Sequence, residues 1–427
     1  MKLLVSDDVE ELLRELNGQR AFLSLDQTYL DVVRIVEDVK ANGDSALKRY
    51  SLKFDGQGAD ELSLGLERLR ELAGRADGGF AKAFQRALSG TRDFNDKVLA
   101  LLGRQVSYTV QGLEIEIKFE PLRRIGVYVP KGRSTYVSTL VMAAFPARLS
   151  GVERIEVCTP PAELRSLSNF AYACENLGVR EVYLVGGAHA IAALAYGTET
   201  VKRVEKIVGP GGIYVTMAKH YVSKDVAIDF MAGPTELLIL ADDSADGRMV
   251  ALDMLSQAEH GPDSWVGLIT DSEAFGRTVV KEVESLERDN GLATDSLGRR
   301  CWIAVVSKAE RAAELADRLA PEHVELVGSK FETLASRIGR AGVVSVGEEV
   351  PASATDYFLG PDHILPTLGM AASRGCLSPL DFLKMRVEVR GCGRLPDDLL
   401  SAMLTFAREE GFEYHAKSLE ARMRRQG

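Results

Sequence analysis

Gln257 and His260 stand three residues apart in the run Leu255-Ser256-Gln257-Ala258-Glu259-His260-Gly261-Pro262. On a helix that spacing puts both side chains on one face, and Gly261-Pro262 stops the helix just beyond them. Both then project near a C-terminal end, where the helix dipole favours a cation. A carboxamide oxygen beside an imidazole suits zinc or a similar divalent metal when further ligands arrive from elsewhere. Spacing alone is also satisfied, and more simply, by an ordinary surface Gln and His.

Three further segments carry chemistry-bearing side chains. In Ala320-Pro321-Glu322-His323, Pro321 disfavours helix at Ala320 and sets an extended entry. It leaves a carboxyl and an imidazole side by side, two groups whose pKa values the surroundings can set apart. The segment Ala354–Thr367, with Asp356, Asp362 and His363, reads as a long, mostly non-helical loop of the kind that is often functional. Near the end of the chain, Glu410 and His415 lie five apart and would, structurally, be exposed helix residues. Glycine clusters at Val185-Gly186-Gly187-Ala188 and Val208-Gly209-Pro210-Gly211-Gly212 follow apolar runs, where backbone amides can cradle phosphates or simply turn the chain. The G-x-G-x-x-G fingerprint of a common dinucleotide site is absent.

These residues need a scaffold, and the hydrophobic pattern supplies one. Strands are expected at Ile125–Val129, Ile155–Cys158, Val182–Val185, Lys206–Val208, Ala227–Phe230 and Leu237–Ala241. Others are expected at Trp265–Ile269, Trp302–Val306, His323–Val327 and Val343–Val346. Helical patterns separate most of them, the mark of parallel sheets with helices on both faces. Ten strands are many for one sheet, so two α/β sheets are expected. A period-two stretch from Val106 to Phe119, broken at Gln111-Gly112, reads as a hairpin. Before it come a short helix capped by Asp7 with Glu10 at the capping-box position and Gly18 after its last turn, then a helix from Thr28 to Lys40 that Gly43 ends. Asp44-Ser45 can start the next one. A single long helical pattern runs from Asp398 to Arg424, its terminal Arg422, Arg424 and Arg425 complementing a helix dipole.

With 427 residues, 46% hydrophobic and 27% charged, the chain has an ordinary globular composition and room for several domains. Its formal charge of −10 argues against general nucleic-acid binding. No apolar run approaches the ~18 residues of a membrane span, and the first residues turn acidic before a signal-peptide core develops. Five cysteines (158, 174, 301, 376 and 392) without C-x-x-C spacing argue against a disulfide framework and for a reducing cytoplasm. The expectation is a soluble cytoplasmic α/β protein.

Taken together, these segments resemble the histidinol dehydrogenase family. The likeness starts at Gly43-Asp44-Ser45-Ala46-Leu47 and Phe54-Asp55-Gly56, and runs through Ala232-Gly233-Pro234-Thr235-Glu236, Ser256–Asp263 and Pro321-Glu322-His323 to His415. It implies an α/β fold of two incomplete Rossmann-like domains plus small N- and C-terminal helical pieces that swap in a dimer. The implied division is 1–25, then 26–127 joined with 236–373, then 128–235 on the nucleotide side, then 374–427 as a helical tail. It further implies zinc ligands at Gln257, His260, Asp356 and His415, and a catalytic pair at Glu322 and His323. Substrate contacts fall on Thr235, Gln257, His260, His323, Asp356, His363, Glu410 and His415, and NAD contacts on Tyr128, His189 and Gly212. The implied reaction is zinc-dependent oxidation of histidinol to histidine through the aldehyde, with two NAD consumed, in a homodimer with shared sites. A paralogue acting on another small alcohol, or a catalytically impaired homologue, are the alternatives.

This sequence departs from the family pattern at several of those positions. His189 stands where Gln is usual, Gly212 where Asn is usual, and Thr235 where Ser is usual. Lys131-Gly132 replaces a usual Gly pair, and Asp362 replaces a usual Asn. The first two and Lys131 bear on cofactor affinity and on the choice between NAD and NADP, with NAD expected.

Overall fold

The computed structural model describes residues 1–20, 25–56, 62–103, 105–131, 135–161, 164–231, 233–290, 294–393 and 395–426. Gly132 and Ala232, and the side chains of Arg424 and Arg425, lie outside what is described. The strands, in chain order, are β1 (Lys2–Val5), β2 (Ser63–Gly65), β3 (Gln105–Val110), β4 (Leu113–Pro121) and β5 (Arg124–Tyr128). Next come β6 (Arg154–Cys158), β7 (Glu181–Tyr183), β8 (Lys206–Val208), β9 (Ala227–Ile228) and β10 (Glu236–Ala241). The last are β11 (Trp265–Thr270), β12 (Cys301–Val305), β13 (His323–Val327), β14 (Val343–Val346) and β15 (Leu383–Gly391).

All ten expected strands form, in two six-stranded sheets. The first has the order β1-β12-β11-β10-β13-β14 and is parallel throughout. The second has the order β2-β7-β6-β5-β8-β9, parallel except for β2 at its edge. Every residue of β10, β11, β12 and β13 is buried, as continuous apolar runs require when helices cover both faces. Separate apolar clusters fill the two faces of each sheet. Segment 26–127 contributes β2 and β5 to the sheet whose other strands fall between 154 and 228.

Contacts divide the chain into one unit of Met1–Val98 with Leu122–Phe382, and a second of Leu99–Pro121 with Leu383–Gly427. In the second, the expected hairpin β3–β4 turns at Gln111 and Gly112, both at positive φ (51° and 75°), the type I′ geometry of a two-residue loop. Strand β15 pairs with β4, inside a stretch expected to be helical. Its alternation of Met385, Val387 and Val389 with Lys384, Arg386, Glu388 and Arg390 is the period of a strand. The single long terminal helix is two, Asp397–Glu409 and Glu413–Gln426. Gly411 at φ 74° and the Phe412 N–H bonded to the Ala407 carbonyl at 2.8 Å close the first in a Schellman turn.

Two N-terminal expectations also shift. Asp8, not Asp7, caps helix Val9–Arg20 by accepting the N–H groups of Glu10 and Glu11, and Gly18 lies inside that helix. Asp7 instead accepts the Ser307 N–H. The break at Gly43 is present, at φ 51° and ψ −133° within Leu25–Asp55. Asp44, rather than capping the helical stretch after the break, accepts the hydroxyls of Thr198 and Thr200 at 2.6 Å each.

Candidate active site

Adjacent strands β10 and β13 bring Thr235 and Glu322 together, because each residue directly precedes its strand and Leu237 pairs with His323. Ala320 ends helix Ala309–Leu319 in the left-handed region at φ 47°, and Pro321 then feeds the chain into β13 as expected. The Glu322 Oε2 accepts the Thr235 hydroxyl and the Glu236 N–H, each at 2.8 Å. Gln257 donates its amide to the same Thr235 hydroxyl. Behind this group Glu236 forms a buried two-pronged pair with Arg20. Its carboxylate also accepts the N–H groups of Glu322 (3.2 Å) and Leu368 (3.0 Å). Arg20 donates in turn to the Leu319 carbonyl and lies over the Trp265 ring. Arg20 and Glu236 thus hold the start of both strands, a role the sequence reading did not give them.

Helix Gly247–Ala258 ends one residue after the buried Gln257. His260 is therefore in the turn beyond it, not on the helix face, its N–H bonded to the Gln257 carbonyl at 3.4 Å. The His260 Nε2 lies 4.0 Å from the Asp356 Oδ2. Asp356 closes a short helix, Ala352–Asp356, where a loop was expected, and its carbonyl meets the His363 Nδ1 at 3.0 Å. Leu368, just past the end of this segment, is the residue tied to Glu236. Asp362 is buried, with one carboxyl oxygen on the Ile364 N–H and the other without a partner among the described residues.

Burial governs the protonation of this group. It raises Glu322 well above the ordinary carboxyl range, with Glu236 and Asp356 adding to the rise and the two bonds to Oε2 opposing it. It raises Asp356 to about 7 and holds Asp362 well up. Burial likewise lowers His323 to about 3, with help from His363 and His260, and His363 to about 4. The His323 Nδ1 is buried without a partner among the described residues. The set is a neutral imidazole with an open nitrogen and, next to it in sequence, a carboxyl that burial pushes towards its protonated form.

Zinc ligands sit about 2.0–2.2 Å from the metal, so the 4.0 Å between His260 and Asp356 is a span one ion can bridge, with Gln257 as a third donor type. Among the described residues no cluster of three His, Cys, Asp or Glu side chains is closed. Glu410 and His415 belong to the second unit, both exposed, at the end of one helix and in the first turn of the next.

In the second sheet the polar features lie at the carboxyl ends of the strands. The chain moves from β5 to β6 and β7 on one side, then to β8 and β9 on the other, so β5 marks the switch point where open α/β sheets bind ligands. Tyr128 ends β5 and accepts the Gly187 N–H at 3.0 Å on its hydroxyl. Gly209, after β8, has φ 113°, and a Cβ there would lie 2.1 Å from the Tyr128 carbonyl oxygen. Gly212 starts helix Ile213–Val222 with open space where its Cβ would be. His189 is buried, lowered to about 4 by that burial, and its Nε2 has no partner among the described residues. Tyr50 and Phe54, which the sequence reading did not assign, flank His189 with ring centroids 5.8 and 6.1 Å away. Lys131 donates to the Pro161 carbonyl at 2.5 Å. Close-approach glycines beside orphaned buried polar atoms fit a dinucleotide.

Parallel sheets, glycine turns at a switch point, and a buried acid beside a neutral imidazole fit an α/β oxidoreductase of the dehydrogenase class. The family model described as histidinol dehydrogenase matches residues 19–423. The histidinol dehydrogenase of Methanopyrus kandleri is 39% identical over 99% of this chain and 100% of its own. That of Bacillus subtilis is 39% identical over 92% of each. The crystal structure of histidinol dehydrogenase from Elizabethkingia anophelis superposes with a TM-score of 0.90 at 29% identity, covering 99% of this chain and 98% of that one. The chain belongs to the histidinol dehydrogenase family.

Proposed function

We propose that this enzyme oxidises histidinol to histidine in two steps, with zinc and two molecules of NAD. The observation that carries the reading is the bonded set Glu322–Thr235–Gln257 beside His323, with His260 and Asp356 4.0 Å apart. Gln257, His260 and Asp356 would hold the metal with His415. Bound zinc would fix the amine and ring nitrogen of the substrate, and the nicotinamide would take the hydride in each oxidation. His323 takes the carbinol proton, since burial keeps its imidazole neutral. Glu322 then removes a proton from the water that adds to the bound aldehyde, the Thr235 and Glu236 bonds to its Oε2 favouring the carboxylate form that does so. Tyr128, His189 and Gly212 line the cofactor's crevice. His363 and Glu410 hold the imidazole end of histidinol. An assay of histidinol beside simple diols, with zinc and each nicotinamide cofactor, tests this: reduction with diols but not histidinol would reject it.

Each active site draws on two chains in a homodimer, Glu410 and His415 of one subunit serving the body of the other. Two features of the second unit support this. It carries two of the expected substrate residues, exposed, and its sheet presents an apolar face. Val106, Tyr108 and Val110 of β3 and Met385, Val387 and Val389 of β15 are all more than a third exposed and flank Leu113, Ile115, Ile117 and Phe119 across the register. Monomeric proteins rarely leave such a face open. In a twofold dimer, refolding His260→Asn together with His415→Asn makes half the dimers mixed, each with one intact site, and should restore about a quarter of wild-type activity. Confirmed mixed dimers without activity would refute the shared site. Among the described residues no helix is long and apolar enough to cross a membrane, and all five cysteines are free.

A further inference from the structure

Asp55 closes helix Leu25–Asp55 beside the crevice of the second sheet. Phe54, next to it, is stacked on Tyr50 with ring centroids 5.9 Å apart and planes at 6°. Phe54 is 52% exposed, with the Lys53 ammonium 5.1 Å from its ring centroid. The Asp55 Oδ2 is buried with no partner among the described residues. Its electrostatic neighbours are crevice residues: the Lys131 ammonium draws its carboxyl down while burial pushes it up more, and it helps to raise Tyr128. A buried acceptor with nothing to accept costs stability unless a ligand supplies the donor. Lys131, a departure that bears on the choice between NAD and NADP, donates to the Pro161 carbonyl while its charge acts on this carboxylate.

Resting on the reading that the crevice holds NAD, we propose that Asp55 accepts the hydroxyls of the adenosine ribose and so excludes a 2′-phosphate. A carboxylate suits a diol, whose two O–H groups both donate, and repels a phosphate dianion, which has no donor to offer. Asp55 is then the residue that selects NAD over NADP, with Lys131 tempering its charge.

The test is equilibrium binding of NAD, NADP and nicotinamide hypoxanthine dinucleotide to the full-length protein without substrate, followed by calorimetry. Wild type should bind NAD at least about tenfold more tightly than NADP. Loss of a charge-assisted bond in Asp55→Ala should weaken NAD about tenfold and narrow that ratio. Asp55→Asn, isosteric and uncharged, should narrow it by improving NADP. Circular dichroism checks that both variants fold. An unchanged NAD-to-NADP ratio in both folded variants overturns the proposal. So does an Asp55→Ala loss seen with NAD and absent with the hypoxanthine dinucleotide, because the carboxylate would then be reading the base amine. Wild type that binds neither cofactor overturns the NAD reading itself, and this inference with it.

Discussion

The two six-stranded sheets carry their polar chemistry at opposite ends of their strands. In the first, Thr235, Glu322 and His323 gather at the amino ends of β10 and β13, and side chains bond to side chains. In the second, Tyr128 and the glycine turns ring the carboxyl ends of β5, β7 and β8, and the backbone itself forms the surface. One end uses burial to set protonation; at the other a missing side chain lets Gly209 pack against the Tyr128 backbone. Damage should follow that division. Changes at the first end should alter rate or the balance of ionisation, and changes at the second should alter affinity.

The largest effect is expected at His323. Asn there removes the proposed proton acceptor from a buried position next to Glu322, and the hydride-transfer rate should fall about 10²–10⁴-fold. Metal content, measured beside single-turnover kinetics, should stay at the wild-type level. A variant that loses its metal would make His323 a ligand and erase the separation of roles.

A second probe sharpens the electrostatic half of the comparison. Burial raises the Asp253 and Glu325 carboxyls above the ordinary range, with Glu348 adding to the rise of Asp253 and Asp253 to that of Glu325. Glu325 accepts the Ala352 N–H at the start of the helix that ends in Asp356. A raised native pKa means the folded state keeps its proton where the unfolded chain has lost it, so the pair costs stability progressively as pH rises from 5 to 8. Asp253→Asn removes part of that cost. It should therefore be more favourable, by about 1 kcal/mol or more, at pH 8 than at pH 5 in denaturant unfolding. An effect independent of pH would mean that the pair is not held protonated.

The smallest effect belongs to the second sheet. Open space surrounds the position of a Gly212 Cβ, so Gly212→Asn fits without strain. It should also tighten NAD binding several-fold through one added hydrogen bond, with kcat little changed. A fall in kcat at unchanged affinity would tie this turn to the chemistry instead of the cofactor.

The sheets were largely legible in the sequence because continuous apolar runs between helical patterns are a local signal. So were Gln257, His260, Glu322 and His323, which lie in two short contiguous motifs. The exact end of the first motif's helix was not, and His260 left the face assigned to it because the chain turns at Glu259. Arg20 escaped notice because its partner Glu236 lies 216 residues away, and nothing local marks a buried pair of that kind. Asp55 is similar: the charges and rings near it, Lys131 and Tyr128 around Asp55 and His189 beside Phe54, come from segments far along the chain. Strand β15 was visible in principle, since Met385, Val387 and Val389 alternate with charges, but helical residues on its C-terminal side masked it.

The account rests on one active site performing two oxidations on the same molecule. The direct measurement is the amount of NADH formed per histidinol consumed by the zinc-loaded enzyme, with histidine quantified at completion. Two NADH for each histidine, with no free aldehyde accumulating, is the predicted result. One NADH for each histidinol with the aldehyde released would contradict it, because Glu322 would then have no second step to serve.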